Sequence, residues 1–443
     1  MPFSVFQKLT GRKKPPPPPP SAVEPQPKGT SIMAARFSPT RPLYFLHVPK
    51  TMGTAIRYGL ENGVAGKEIL FPYQEQYYPH QLDLPGGAAA LAEPKSCYFG
   101  HFGWDLPAAL PGRPWTILTV LRDPKDRLLS LFDYCRQFDQ LPATLTLEEW
   151  LESKVRCLDF MNCYFVPQLW KNPAAGTAAV AAVLENHLPA ALENLRCCSV
   201  VGIQEEPQAT LNLISHATGC LLPPAAQKVN ASRRQHRLEN ISPEAASLLA
   251  GVTGAEEILF REGRRLFQQQ AGRLLEELGL EPGTDGNDVA ALLTAKTVAG
   301  FSRADPAQGI KWQPKQSYPG GNLHSREFHD NMALRWTGPA THTEFFFNLS
   351  PQESWKITIR LHPATPSTHA QAAALTVDGH AVALELESWP DGQPHTLTGR
   401  FPPSGHPAAL RKFCLTSPVS KGNGEWRMLG LCLKGINFER ETS

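Results

Sequence analysis

The chain has 443 residues, which is more than one hydrophobic core usually holds, so two domains are expected. Its 43 lysines and arginines nearly balance its 41 aspartates and glutamates, and a net charge of +2 excludes a global attraction to nucleic acid or membrane. Nine cysteines without CxxC spacing indicate reduced thiols in a reducing compartment and no structural zinc site. Cys197 and Cys198, beside an apolar run, are expected in the core.

Residues 1–40 are expected to form a tail that precedes the first domain. They carry GRKK, six consecutive prolines and further proline, serine and glycine. This composition predicts a disordered, partly polyproline segment. The tail holds no apolar stretch of signal-peptide or membrane-span length, so we expect a cytoplasmic protein without a membrane span.

The stretch Leu43–Thr54 combines an apolar run, a turn of small residues and the start of a helix. The run predicts a buried strand of a parallel sheet, and Pro49 ends it because proline lacks an N–H group. Converging backbone N–H groups, the helix dipole and the Lys50 ammonium favour an anion site, to which the Thr51 and Thr54 hydroxyls add donors. The GxxxxGK[ST] spacing of a Walker A loop is absent. The alternative is an ordinary strand-to-helix turn with an exposed lysine.

Residues 63–115 form an irregular connection to the next strand and are rich in glycine, proline and aromatic residues. Connections of this length without regular structure are usually functional. We therefore expect an acceptor pocket in which aromatic faces lie against sugar rings. The alternative is that these rings only cap the sheet.

A second strand-to-helix unit follows at Trp115–Leu121, another buried apolar run. Asp123 is the expected N-cap of its helix and Pro124 the first helical residue. After them, apolar residues recur at helical spacing, which predicts an amphipathic helix.

Two arginines and a serine of this unit predict a second anion site. Arg122 lies at the end of the strand, and Arg127 and Ser130 lie in the first two turns of the helix. A guanidinium matches the geometry of phosphate, and a hydroxyl adds a donor. Because parallel strands end at one edge, the two anion sites suit a ligand with phosphate-like groups at both ends. Arg127 has an alternative role, in which it pairs with Asp123 or Asp126 and braces the helix.

Three further elements are expected next: a short helix that begins with the capping box Thr146/Glu149, an alanine-rich helix over 177–187, and a buried strand over Ser199–Ile203. Glu205 follows this strand at the same sheet edge. It could orient Lys50 or the acceptor, and an ordinary helix-start carboxylate is the alternative.

The segment Asn230–Arg237 (NASRRQHR) is the one locally basic cluster. On its residues alone, a solvated basic turn is one interpretation. Ser242 as N-cap and Pro243 as first residue predict a helix, and a longer helix is expected over 255–278.

The sequence pattern changes toward the C-terminus, to short β-type runs separated by turn residues. Residues 286–325 are expected to form a Gly/Pro-rich linker with one short helix, and residues 326–443 an antiparallel β-sandwich of at least seven strands. Asp378-Gly379 predicts a two-residue hairpin turn. Trp355 and Trp389 are expected to be exposed aromatics that either stack on sugars or pack in the core or at an edge.

These motifs together resemble the sulfotransferases that use 3′-phosphoadenosine 5′-phosphosulfate (PAPS), most closely the glycan branch that contains the heparan sulfate 2-O and 6-O enzymes and bacterial relatives. The family's HxPKTGGT-type loop is matched at His47, Pro49, Lys50, Thr51, Gly53 and Thr54. Its RDPxxRxxS segment is matched at Arg122, Asp123, Pro124, Arg127 and Ser130. YFGHF at 98–102 resembles the family's GH segment. The resemblance covers roughly residues 41–275, and Met52 departs from it where the family has a small residue, so crowding at the sulfonate is expected.

The resemblance implies an α/β fold with a P-loop-like parallel sheet flanked by helices over residues 41–285. It implies PAPS as sulfuryl donor, its bisphosphate product (PAP) and no metal. His101 becomes the candidate base, with His80 as its rival, and Lys50 would stabilise the leaving oxygen. Cofactor contacts are expected from Lys50, Thr51, Met52, Gly53, Thr54, Arg122, Arg127, Ser130, Arg233 and Arg234.

The expected partner is a carbohydrate or another hydroxyl-bearing acceptor, not nucleic acid, and the C-terminal domain is a candidate for oligomerisation. The main alternative is a catalytically inactive carbohydrate-binding or scaffold protein of the same fold. A kinase or nucleotide hydrolase is disfavoured because a Walker A loop and obvious magnesium ligands are absent.

Overall fold

The computed structural model describes residues 37–63, 69–70, 94–137, 140–142, 144–170, 172–222, 236–299, 310–314, 320–324, 327–329, 332–388, 394–404, 410–421 and 427–441. The expectations for the proline-rich tail, for His80, for Arg233 and Arg234, and for Trp389 fall outside these residues.

The first half of the chain is built on a five-stranded parallel sheet, as predicted for an α/β fold. Its strands are β1 (Leu43–Leu46), β2 (Ile69–Leu70), β3 (Cys97–Gly100), β4 (Thr116–Leu121) and β5 (Val200–Ile203), in the order β2-β3-β1-β4-β5. All residues of β1, β3 and β5 are buried. Burial on both faces explains why these strands are continuous apolar runs.

Nine helices of the described chain accompany this sheet: α1 (Gly53–Gly63), α2 (Asp105–Ala109), α3 (Pro124–Gln137), α4 (Leu147–Ser153), α5 (Asn162–Phe165), α6 (Thr177–Arg196), α7 (Pro207–Thr218), α8 (Pro243–Leu278) and α9 (Gly286–Ala299). Two of them are longer than predicted. The alanine-rich helix α6 continues to Arg196, and α8 is one helix of 36 residues instead of two.

The helix starts follow the predicted capping chemistry. The Asp123 carboxylate accepts from the Asp126 N–H at 3.0 Å, and Thr146 and Glu149 form a reciprocal capping box. The Ser242 hydroxyl accepts from the Ala245 N–H at 3.0 Å. These local patterns were readable from the sequence because capping depends only on residues three positions apart.

The segment 286–325 contributes to both structured regions. In α9, Val289 and Leu293 are buried in the core of the parallel-sheet region. The strands β6 (Ile310–Trp312) and β7 (Gly320–Gly321) pair with the antiparallel sheets.

The second half is antiparallel β structure. Its remaining strands are β8 (Glu327–His329), β9 (Met332–Trp336), β10 (His342–Asn348), β11 (Trp355–Leu361), β12 (Ala374–Val377), β13 (His380–Val382), β14 (Leu384–Ser388), β15 (Pro394–Phe401), β16 (Leu410–Thr416), β17 (Ser420–Lys421), β18 (Met428–Leu429) and β19 (Cys432–Arg440), with one short helix, α10 (Ser367–Gln371). One sheet has the order β13-β12-β16-β10-β7, and another has β14-β15-β11-β19-β9-β8 with β6 beside β19. Strands β17 and β18 form a separate pair.

The two larger sheets face each other across an aromatic core, which gives the predicted sandwich. Phe347 and Phe413 of one sheet lie 4.6 and 4.9 Å (ring centroids) from Phe438 of the other. The turn Asp378-Gly379 has φ values of 50° and 84°, as the predicted hairpin requires.

The structure decides between the two predictions for Trp355. Of its surface, 1% is accessible, and its indole N–H donates to the Ser350 carbonyl at 3.1 Å. It therefore packs in the sandwich core, as one of the two predictions has it, and is not an exposed aromatic. Cys198 is buried as expected, but Cys197 is exposed because it follows the last turn of α6.

Candidate functional site

The loop between β1 and α1 presents backbone N–H groups at the carboxyl edge of the sheet. Lys50 and Met52 have left-handed backbone angles, with φ of 68° and 61°. Within residues 37–63, the N–H groups of Thr51, Met52 and Gly53 have no hydrogen-bond partner. Successive unpaired N–H groups at a helix start form an anion-binding concavity.

Two threonines belong to this loop and to the helix start that follows it. The Thr51 hydroxyl is buried and donates to the Val48 carbonyl at 2.6 Å, so it holds the turn together. Thr54 lies in the first turn of α1. The Thr51 hydroxyl is therefore already used within the turn, whereas the backbone N–H groups and Lys50 can face an anion.

Gly53 is required because the His47 ring occupies the space of a side chain. A Cβ at Gly53 would lie 1.8 Å from His47 Nε2. The same ring stacks on His101, with centroids 4.5 Å apart and planes inclined by 25°. The loop, His47 and His101 therefore form one stack at the ends of β1 and β3.

We expect Gly53→Ala to destabilise the fold by roughly 1–3 kcal/mol, the cost of overpacking, because the His47 ring must move. Urea unfolding measures this change. The double variant Gly53→Ala/His47→Ala should be less destabilised than the sum of its single changes, since the smaller side chain makes room. Gly254→Ala is the matched control: nothing lies within 4 Å of its new methyl group, so it should not destabilise. Independent, additive costs in the double variant would contradict this packing.

His101 is held as one tautomer. Its Nδ1 lies 2.7 Å from the His47 carbonyl oxygen, which only accepts, so Nδ1 carries the proton and Nε2 the lone pair. The side chain is 3% exposed, and burial lowers the pKa of His101 to about 4. Burial, followed by the neighbouring His101, holds the pKa of His47 well below its usual value. Both rings are neutral at pH 7.

Arg122, at the carboxyl end of β4, joins the two predicted anion sites. Its Nη1 donates to the Lys50 carbonyl at 3.3 Å, and its Nη2 lies 3.7 Å from an oxygen of Asp126. The residue is 2% exposed, and no atom of the described chain forms a hydrogen bond with Nη2. The Lys50 ammonium extends to α3, 4.2 Å from the ring centre of Tyr134.

Arg127 lies in the protein interior. It is 1% exposed, donates to the Asp159 carbonyl, and lies 3.7 Å from Glu256, whose surface is wholly buried. Burial raises the pKa of Glu256, whereas the Arg127 charge opposes this shift. Arg127 therefore braces α3 against α8, with different partners from the predicted Asp123 or Asp126. Ser130, one turn later, is 2% exposed.

Glu205 caps α3. Its Oε1 accepts from the Asp123 N–H at 2.9 Å, so it serves a helix start, as in the alternative prediction, but not the helix that follows it in sequence. Burial raises the pKa of Glu205. His236, the first described residue of the basic cluster, is anchored to α3: its Nδ1 lies 2.5 Å from Asp133 Oδ1, and its N–H donates to Oδ2 at 3.0 Å.

The site thus brings together Lys50, Thr51, Met52, Gly53 and Arg122, with His101 beneath the loop. Tyr134 and the Asp133–His236 pair were missed at the level of sequence, because nothing in the local sequence indicates their partners. Asp126 was considered only as a partner of Arg127, whereas it lies beside Arg122. The unpaired loop N–H groups and the unsatisfied Nη2 of Arg122 fit a ligand with anionic groups. No group of three or more metal-ligating side chains occurs in the described part of the chain.

Comparisons with known proteins do not assign this chain to a family. No protein-family profile and no curated protein matches it. Similar solved structures include a family 35 carbohydrate-binding module from Clostridium thermocellum, with 12% identity, 30% of this chain and 98% of that chain covered, and a TM-score of 0.21. A Paenibacillus cycloisomaltooligosaccharide glucanotransferase shares 12% identity over 34% of this chain and 22% of its own, with a TM-score of 0.19. A family GH115 4-O-methyl-α-glucuronidase shares 12% identity over 75% of this chain and 52% of its own, with a TM-score of 0.23.

None of the helices described here combines the length with the apolar composition that a membrane span needs.

Proposed function

We propose that the protein transfers a sulfuryl group from PAPS to a hydroxyl group of a carbohydrate. The observation that carries this proposal is the contact between Arg122 and the Lys50 carbonyl. This contact places the loop with its unpaired N–H groups and the buried Arg122 guanidinium at one sheet edge, where α/β folds bind ligands. The Nη2 group of Arg122 still has no hydrogen-bond acceptor among the described residues. Such a pair of anion sites suits a nucleotide with phosphate-like groups at two positions.

The loop and Lys50 would hold the phosphosulfate end of the donor. Three backbone N–H groups can donate to its oxygens without rearrangement, because they have no other partner in the described loop. Lys50 would leave the Tyr134 ring and neutralise the charge that develops on the oxygen between phosphorus and sulfur.

Arg122 would bind the 3′-phosphate with Nη2. The accepting hydroxyl would attack sulfur, the bond from sulfur to the bridging oxygen would break, and the hydroxyl proton would pass to His101 Nε2. The hydrogen bond from Nδ1 to the His47 carbonyl keeps the lone pair on Nε2, as a general base requires. We assign Arg127 to the support of α3 and not to donor binding. The contacts of Arg233 and Arg234 with the donor stay predictions.

Incubation of the protein with ³⁵S-labelled PAPS and a panel of glycans and small alcohols tests this function. We expect label in at least one polysaccharide or oligosaccharide, without added metal. Label in none of the acceptors, from a protein that binds the bisphosphate product, would contradict the transferase activity.

A second candidate is a carbohydrate-binding or scaffold protein that has lost this activity. Met52 favours it: a side chain stands at a left-handed position that glycine adopts without cost, and roughly 1–2 kcal/mol of strain is expected there. Met52→Gly should then create or increase transfer activity, whereas an active wild-type protein would exclude this candidate.

A further inference from the structure

Arg122 stands in acidic surroundings, which is unusual for a group that binds an anion. Asp126 lies 3.7 Å from its Nη2, and at the start of α3 the backbone N–H of Asp123 donates to the Glu205 carboxylate. Glu239 approaches from the turn at residues 238–240 and influences Asp126 electrostatically. Asp126 is therefore the carboxylate beside the guanidinium, and Asp123, Glu205 and Glu239 lie around Asp126.

The ion pair between Arg122 and Asp126 is loose. A separation of 3.7 Å exceeds hydrogen-bond length, and Nη2 is left without a hydrogen bond although Arg122 is 2% exposed. A buried guanidinium with an unused donor costs free energy, which a better-placed acceptor would recover. Asp126 thus compensates the charge of Arg122 but does not satisfy its geometry.

We propose that Asp126 is the resident counter-ion of Arg122, and that a phosphate monoester displaces it with uptake of a proton at this carboxylate. This inference rests on the proposed function, since it concerns the same site. It makes Asp126 a specificity-determining residue: only a ligand group that offers Arg122 better hydrogen bonds than a carboxylate can take its place.

The sign of the pH dependence follows from the groups that face Asp126. Burial raises the pKa of Asp126 first, Asp123 and Glu239 raise it further, and Arg237 lowers it. Glu205 adds negative charge from the end of β5, and Arg122 opposes from the end of β4. A bound phosphate adds negative charge beside Asp126 and takes its arginine, so this pKa rises on binding. The complex then holds more protons than the free protein, and affinity increases as the pH falls.

Asp126→Asn tests the proposal, with adenosine 3′,5′-bisphosphate as the probe and calorimetry as the method. At pH 8 the variant should bind about tenfold more tightly than the wild-type protein, because one charge beside the phosphate is gone. This advantage should shrink as the pH falls to 5. In buffers of different ionisation enthalpy at pH 5.5, the wild-type protein should take up more protons on binding than the variant. Comparing the two proteins cancels the titration of the phosphate itself.

Two controls separate this role from general charge effects. Asp126→Glu keeps the carboxylate and should retain the proton uptake. Glu239→Gln removes a nearby charge that is 70% exposed and lies 3.7 Å from Arg237. Because exposed ion pairs are weak, the affinity of this variant for the bisphosphate should differ less than twofold from that of the wild-type protein.

Equal affinities of Asp126→Asn and wild type at pH 8, or an advantage that does not depend on pH, would overturn the inference alone. Failure of both proteins to bind the bisphosphate would overturn the inference together with the proposed function.

Discussion

Replacement of His101 by asparagine is expected to lower kcat for sulfuryl transfer by roughly 10²- to 10⁴-fold, the usual contribution of a positioned general base. The asparagine amide can still donate to the His47 carbonyl, as His101 Nδ1 does at 2.7 Å. It lacks the basic nitrogen and the ring that stacks on His47, but it keeps this hydrogen bond beneath the loop. Affinity for adenosine 3′,5′-bisphosphate should therefore be unchanged. Rapid-quench measurement of transfer and calorimetry of binding separate these two quantities.

The pH profile adds a second expected result for His101. Its pKa is lowered to about 4 by burial, so the basic form persists well below the usual histidine range. We expect kcat/KM for the acceptor, measured at saturating PAPS, to stay level from pH 8 down to about 5 and to fall only below that pH, because this parameter reports the enzyme before the acceptor binds. The unfolded state binds a proton at higher pH than the folded one, so folding stability decreases as the pH falls from 6.5 toward 4. Circular dichroism at each pH distinguishes unfolding from loss of the base.

His216→Asn is the matched control, because this histidine pairs with Glu277 on the exposed side of α7. It should leave transfer unchanged. Transfer by His101→Asn at the wild-type rate, or an acidic limb near pH 6.5 in the wild-type protein, would show that His101 is not the base.

Arg122→Gln is expected to abolish recognition of the 3′-phosphate. The glutamine amide can still donate to the Lys50 carbonyl, but the buried positive charge is lost, and so is the Nη2 donor that has no acceptor within the described part of the protein. Hydrogen bonds to charged groups contribute about 1.5–3 kcal/mol each, so the bisphosphate should bind on the order of 100-fold more weakly. AMP, which lacks the 3′-phosphate, should lose little affinity. The ratio of the two dissociation constants is the quantity to measure.

Lys125→Gln provides the matched control for this prediction. Lys125 belongs to the first turn of α3, the helix that follows Arg122, and its ammonium lies 2.8 Å from Glu257 of α8. Its removal changes the net charge by the same amount, and the ratio should stay at its wild-type value. A similar loss for both ligands in Arg122→Gln would mean that Arg122 only supports the loop.

Much of the fold follows from local sequence patterns. The apolar runs before Pro49 and before Arg122 predicted β1 and β4, and Asp123 with Pro124 predicted the start of α3. The hairpin at Asp378-Gly379 was equally predictable, because two-residue turns depend on the φ values of their own residues.

Features that depend on distant residues were not predictable. Arg127 pairs with Glu256 from the middle of α8, and nothing in the local sequence of either residue marks the other as its partner. For Trp355 the sequence left stacking on sugars and packing in the core or at an edge open, and the alternating burial of β11 places this ring inward. Asp126 is only four residues from Arg122 in the sequence, so their proximity was predictable. Its effect on an anion site depends on burial, which the sequence does not give.

The most direct measurement of the central claim is titration calorimetry of the wild-type protein with adenosine 3′,5′-bisphosphate, AMP and ATP, each with and without Mg²⁺. If Lys50 and Arg122 bind the two ends of one nucleotide, the bisphosphate binds more tightly than AMP or ATP, and Mg²⁺ does not change its affinity. Binding that depends on Mg²⁺ and prefers ATP, or no binding of the bisphosphate, would contradict the account.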